Sequence, residues 1–358
     1  MTVDNQRMLV FVGSYAEESS DGVYVYEFDE LNGELTRLDQ VAGLKNPTFL
    51  NVDTPQRRLY AISESAAADG TKLSDAVSFD ILPAEGKLVE TSRANALNGP
   101  SCHIQRSGDN HYLTLASYHK GSVSLVELKE DGTVGQVLDI REHKGQQPDQ
   151  ISHVHSSFYS PDQRFLFVCD LGLDTIFTYR IDGAEGKLVL QGEAKVKEGA
   201  GPRHLVFHPD GKFTYVINEL HSTVTAFRYD ADKGILSEIE TVSTLPADAN
   251  VENGCAEITM SEDGRFLYGS NRGHDSIVVY AVDPETGKLD TVQHVSTEGK
   301  HPRHFSIVPG GRYVLTVNRD TNNLVVFTRD SETGKLSYTG KSVEISKPVC
   351  VWADRFKK

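Results

Sequence analysis

The pentapeptide ETGKL at residues 285–289 returns unchanged at 332–336. Looser copies stand at 31–35 (LNGEL), at 84–88 and 184–188 (AEGKL) and at 232–236 (DKGIL), with a degenerate one, EDGTV, at 130–134. Each is a charged or polar turn built on Gly and followed by an apolar residue. Seven such turns at a spacing of roughly 50 residues have the period of a propeller blade.

The sequence between turns agrees with that period. The fifth unit reads as four strands: RHLVFH (203–208), FTYVINE (213–219), STVTAFRYD (222–230) and LSEIETV (236–242). Other units repeat the third of these, as TIFTYRI (175–181), SIVVYAVD (276–283) and NLVVFTRD (323–330). β-Branched and aromatic residues alternate with polar ones, and no stretch carries helical periodicity. The chain starts on a second-type strand, MLVFVGS (8–14), and finishes on a first-type strand, PVCVWAD (348–354). The last strand is therefore expected to become the innermost strand of the first blade. The expected fold is all-β: a seven-bladed propeller occupying 1–358 as one domain and closed by its C-terminal strand.

Composition narrows the function. The 358 residues carry a net charge of −15 with 24 % charged residues, which argues against nucleic acid and anionic membranes as partners. No run approaches the roughly 20 apolar residues of a membrane helix, and the N-terminus lacks a charged-then-apolar leader. Cys102, Cys169, Cys255 and Cys350 sit in apolar strand-like runs without CxxC spacing. They read as buried free thiols in a reducing cytoplasm. No His, Cys or carboxylate grouping has zinc or calcium spacing, so neither metal nor cofactor is expected.

Chemistry collects at strand ends. In GPRHLVFHPDGKFTYVINEL (201–220) a His-Pro-Asp-Gly-Lys turn folds two strands together, bringing Arg203 and His204 beside Asn218 and Glu219. Aligning the units on this turn puts Cys102, His155 and Arg303 in register with Arg203. It puts Tyr118, Leu171, Arg272 and Arg319 in register with Glu219, and His103 and His304 in register with His204. His153 lies two residues before His155, on the same side of a strand. All of these are expected at one mouth of the central channel, a cationic pocket with a carboxylate inside an anionic protein. A purely structural account is available for each: a cross-strand Arg203–Glu219 pair worth about 0.2–1 kcal/mol, strand histidines, and Arg272 tying down its loop through Asp275.

These same segments, with HVHSSFYSPDQRFLFVCDLGLDTIFTY (153–179), LYGSNRGHDSIVVY (267–280) and HPRHFSIVPGGRYVLTVNR (301–319), resemble the bacterial lactonase family of 6-phosphogluconolactonases. That family is similar in fold to the fungal carboxy-cis,cis-muconate lactonising enzymes. The resemblance spans essentially the whole chain. It implies a seven-bladed propeller that hydrolyses a small anionic sugar lactone, 6-phospho-D-glucono-1,5-lactone, without a cofactor. It also implies that His155, Arg203, Glu219 and Arg272 match the pocket residues of the muconate enzymes. In that reading Glu219 is the general base, with His155 sharing or replacing it, and Arg203 and Arg272 stabilise the oxyanion. Substrate binding falls to His103, His153 and Arg303. A muconate-type cycloisomerase and a non-catalytic binding scaffold are the alternatives.

Overall fold

The computed structural model describes residues 6–358. Within them are 28 β-strands and no helix, gathered into seven four-stranded antiparallel sheets. Each sheet is one blade, and the order of its strands from the channel outward is the order of the chain, except in the first blade. There the innermost strand is Pro348–Lys357, paired antiparallel to Gln6–Ser14 from Gln6↔Lys357 to Ser14↔Pro348. The C-terminal strand closes the ring, as the phase of the two ends requires. No helix of the described residues is long and apolar enough to cross a membrane.

The core lies between blades. Phe213, Tyr215 and Ile217 of the fifth blade pack with Ile258, Leu267 and Tyr280 of the sixth, all of them buried. The outermost strands are largely open to solvent, and in Ile235–Ser243 Leu236 alone is fully buried.

The recurring turn glycine is part of this blade-to-blade contact. Gly287 has φ +74°, and a Cβ there would lie 2.5 Å from Cδ1 of Phe213 in the preceding blade. Gly334 has φ +70° and would meet Phe266 at 2.3 Å. The backbone conformation and the approach of a neighbouring ring both demand glycine. The contact is reinforced by hydroxyls, since Tyr215 Oη donates to Gly287 O at 3.0 Å and Tyr268 Oη to Gly334 O at 2.9 Å.

Two further devices aim side chains at the channel mouth. The innermost strands of the fourth, fifth and seventh blades lose register by one residue, between Val154 and Ser156, Pro202 and His204, and Pro302 and His304. The residues left out of the ladder are His155, Arg203 and Arg303, and a bulge re-aims such a residue. At the end of the second strands, Asn218, Asn271 and Asn318 hydrogen-bond inward, for example Asn271 Nδ2 to Thr244 O and Asn318 Nδ2 to Thr297 O, both at 2.9 Å. The residue after each is thereby fixed at the mouth.

Candidate active site

Glu219 holds the centre. Its Oε2 lies 2.8 Å from Arg272 Nη2 and 3.1 Å from Arg203 Nε. No described group donates a hydrogen bond to its Oε1. Both arginines are anchored on the sixth blade: Arg203 Nη1 donates to Ala256 O at 2.6 Å, Arg272 Nε to Gly254 O at 3.1 Å and Nη2 to Cys255 O at 2.5 Å. Arg203 thus reaches across a blade boundary, which a simple cross-strand pair would not do. Arg272 makes no bond to Asp275, which instead caps Gly273 N and His301 N.

The third guanidinium is uncommitted. Arg303 lies 5.9 Å from the ring centroid of Tyr15 and forms no hydrogen bond or ion pair with the described residues. Together Arg303, His155 and Glu219 face a chamber of about 300 Å³ that is walled elsewhere by Tyr15, Thr48 and Glu64, with Cys102, Tyr118 and neighbouring residues.

The crowding of positive charge shows in the proton affinities. Burial, followed by Arg203, holds His155 well below the usual histidine range, so its ring is neutral at physiological pH. Burial, then Arg303 and Arg272, lowers Arg203 to about 9, which still leaves a guanidinium. For Glu219 burial pulls upward, but Arg272 and Arg203 outweigh it and the carboxyl stays below its ordinary value. Burial pushes the Cys102 thiol up to about 11, so it is no nucleophile.

Beneath this cluster a second layer closes the channel. Phe49 packs on His103, His204 and His304 at ring distances of 4.3, 5.8 and 5.6 Å, and His204 touches His155 above it at 5.1 Å. The buried carboxylate of Glu257 sits 3.1 Å from His204 Nδ1 and 3.2 Å from His304 Nε2. His103, Glu257 and His304 line a separate cavity of about 280 Å³ on the far side, which shares no wall residue with the mouth chamber.

The structure therefore brings His155, Arg203, Glu219, Arg272 and Arg303 together, and parts other expected companions from them. His103, His204 and His304 belong to the floor, and His103 and His304 line the far cavity. His153 stacks on Tyr118 at 4.2 Å and donates from Nδ1 to Tyr118 O at 3.0 Å, so it backs a wall residue and does not face the chamber. Arg319 turns to Asp320, with Nε 2.6 Å from Oδ1. Sequence reasoning passed over Tyr15, Glu64 and Glu257. Glu257 falls in a wider register slip, between Cys255 and Ile258, so alignment on the hairpin turn misplaces it. No three or more His, Cys, Asp or Glu residues among those described are grouped to hold a metal ion.

Residues 9–353 match the family described as lactonase, 7-bladed β-propeller. The chain belongs to this lactonase family. A Bacillus subtilis relative named 6-phosphogluconolactonase is 34 % identical over 303 residues, covering 84 % of each chain. A Formosa agariphila relative of the same name is 33 % identical, over 84 % of this chain and 86 % of that one. Among solved structures, a Pseudomonas aeruginosa periplasmic gluconolactonase superposes with a TM-score of 0.89 at 35 % identity, covering 97 % of this chain and 99 % of that one.

Proposed function

We propose that the chain hydrolyses 6-phospho-D-glucono-1,5-lactone to 6-phosphogluconate, a step of the pentose phosphate pathway, in the cytoplasm. The observation that carries this reading is the clustering of three guanidiniums about Glu219 at the mouth, with Arg303 unpaired. The family and the relatives named 6-phosphogluconolactonase support lactone hydrolysis. The four free cysteines support a reducing compartment.

The reaction follows from the two oxygens of Glu219. Oε2 is held by Arg203 and Arg272, so the carboxylate is fixed in place. Oε1 is free to accept a proton from a water molecule as that water attacks the lactone carbonyl. The oxyanion that develops faces the guanidiniums, already oriented by blade-six carbonyls. Collapse breaks the bond from the carbonyl carbon to the ring oxygen, and the proton on Glu219 passes to that oxygen. The product is a hydroxy acid, which releases one proton to solvent. Neutral His155 beside the chamber is the second candidate base, and an anion bound at the arginines raises its proton affinity.

The test is the phosphate itself. Arg303→Gln removes a charge-assisted contact worth about 1.5–3 kcal/mol. In a pH-stat, kcat/KM for the phosphorylated lactone should fall about 10- to 100-fold. The loss for unphosphorylated gluconolactone should be at least tenfold smaller. Equal losses would refute the phosphate assignment. Absence of any wild-type lactone opening above buffer would leave a muconate-type cycloisomerase or a binding scaffold.

A further inference from the structure

The mouth chamber has two unlike walls. Blades five to seven supply Glu219 and Arg303, with Arg203 and Arg272 behind. Blades one to three supply hydrogen-bonding groups of the opposite kind, the Glu64 carboxylate with the hydroxyls of Tyr15, Thr48 and Ser101. A second carboxylate in a chamber that takes an anion opposes binding unless it has its own task.

Glu64 is built in. Its Oε1 accepts a hydrogen bond from Asn46 Nδ2 at 2.9 Å, and its backbone N–H donates to Lys45 O at 2.8 Å. No described group hydrogen-bonds its Oε2. Asn46 itself has φ +50° although Pro47 follows it, a conformation that a residue before proline resists. The surrounding loop is clamped, since a Cβ on Gly13 would lie 2.4 Å from Pro47 O. A rigid, locally strained loop thus positions Glu64, which stands on the second-blade strand Arg58–Ala66, and leaves one carboxylate oxygen for the chamber.

We propose that Glu64, positioned by Asn46, binds the hydroxyl groups of the sugar lactone and so fixes which way round it lies. A carboxylate oxygen accepts hydrogen bonds from vicinal hydroxyls and repels carboxylates and phosphates. The lactone carbonyl and any anionic substituent then face blades five to seven, and the polyol edge faces blades one and two. Glu64 also selects against polycarboxylate substrates, which would bring a negative charge to this wall. The assignment rests on the lactonase reading of the same site.

The experiment compares D-glucono-1,5-lactone with δ-valerolactone, which has the ring but no hydroxyls, in wild type, Glu64→Gln and Asn46→Ala. Glu64→Gln should lose about 10- to 100-fold in kcat/KM on gluconolactone, the scale of hydrogen bonds to a charged group. Its loss on δ-valerolactone should be at least tenfold smaller. Asn46→Ala, which keeps the carboxylate but frees it, should show the same preference at smaller size. Equal losses on both lactones, or none on either, overturn the proposal. If wild type opens neither lactone, 6-phosphogluconolactone takes the place of gluconolactone in the comparison; if that too stays closed, the lactonase reading falls and calorimetry with gluconate decides Glu64 separately. Binding weakened about tenfold in Glu64→Gln upholds the assignment, and unchanged or absent binding overturns it.

Discussion

One carboxylate oxygen gripped by two guanidiniums and the other left free gives Glu219 a defined part, and its removal a defined signature. Glu219→Gln keeps size and hydrogen bonding but accepts no proton at neutral pH. Turnover should fall about 10²–10⁴-fold, the usual loss on deleting a general base. KM should hold or drop, because a negative charge facing the substrate is gone. His155→Asn, measured beside it against buffer background, decides between the two bases: a large loss there with near-normal Glu219→Gln turnover moves the role to the histidine. Arg203→Lys keeps charge but loses the fork that spans Glu219 and Ala256 O. It should lower kcat/KM by about tenfold or more, and near-wild-type kinetics would reduce Arg203 to a structural cation. Arg203, Glu219, Arg272 and His155 were legible as neighbours because hairpin alignment brings their backbones to one end of the blades, and the bulges at His155 and Arg203 then aim those two side chains. His103, Arg319 and His153 share that register or sequence face, yet their side chains turn to other partners. Register fixes where a Cα lies and leaves χ angles open.

At the level of strands, the sequence carried the fold almost completely, because each blade repeats the same alternation and the same glycine turn. The ends were readable from strand phase, and deleting 348–358 tests that reading. Loss of the strand paired along Gln6–Ser14 uncovers the inner edge of that strand and opens the ring, so the truncated chain should aggregate or melt far below the full-length protein. Unaltered melting would refute closure by this strand. The turn glycines make a subtler case. Gly287→Ala puts a methyl group into Phe213 at a positive φ and should cost about 1–3 kcal/mol. Gly211, also at positive φ (+72°), has nothing within 4 Å of the added atom, so Gly211→Ala should cost less. Denaturant midpoints that rank the two the other way would show that the blade contact contributes little. What sequence could not supply was the bulges, since they fall at the first residues of the strands, where too little alternation precedes them to show a change of phase. They decide which side chains reach the chamber.

For the molecule as a whole, the buried imidazoles make stability depend on pH. Burial is the first cause holding His103, His155, His204, His301 and His304 down, His301 and His304 to about 4. In the unfolded chain histidines take up protons below about 6.5. Between about pH 6.5 and 4 the unfolded state therefore binds protons that the folded state refuses, and stability falls as pH falls. Glu257 runs the other way, because burial raises its pKa and its contribution is lost as pH rises. The buried histidines outnumber it and should win, each contributing up to about 1.4 kcal/mol per pH unit. The melting temperature should drop by roughly 5–10 °C from pH 7 to 5, and His304→Asn should shallow that slope. A flat profile would show that these rings already carry protons in the folded protein. Three of these imidazoles, His103, His204 and His304, layered with Phe49, also seal the channel floor. A molecule that enters the mouth has no rear exit, so the acid made there must leave by the doorway through which the next lactone arrives. Newly formed carboxylate meets the same arginines as the incoming substrate, and the two cannot be inside together. Traffic through the vestibule is single file, and accumulating product should slow it as a pure competitor, raising apparent KM while the maximal rate stays fixed.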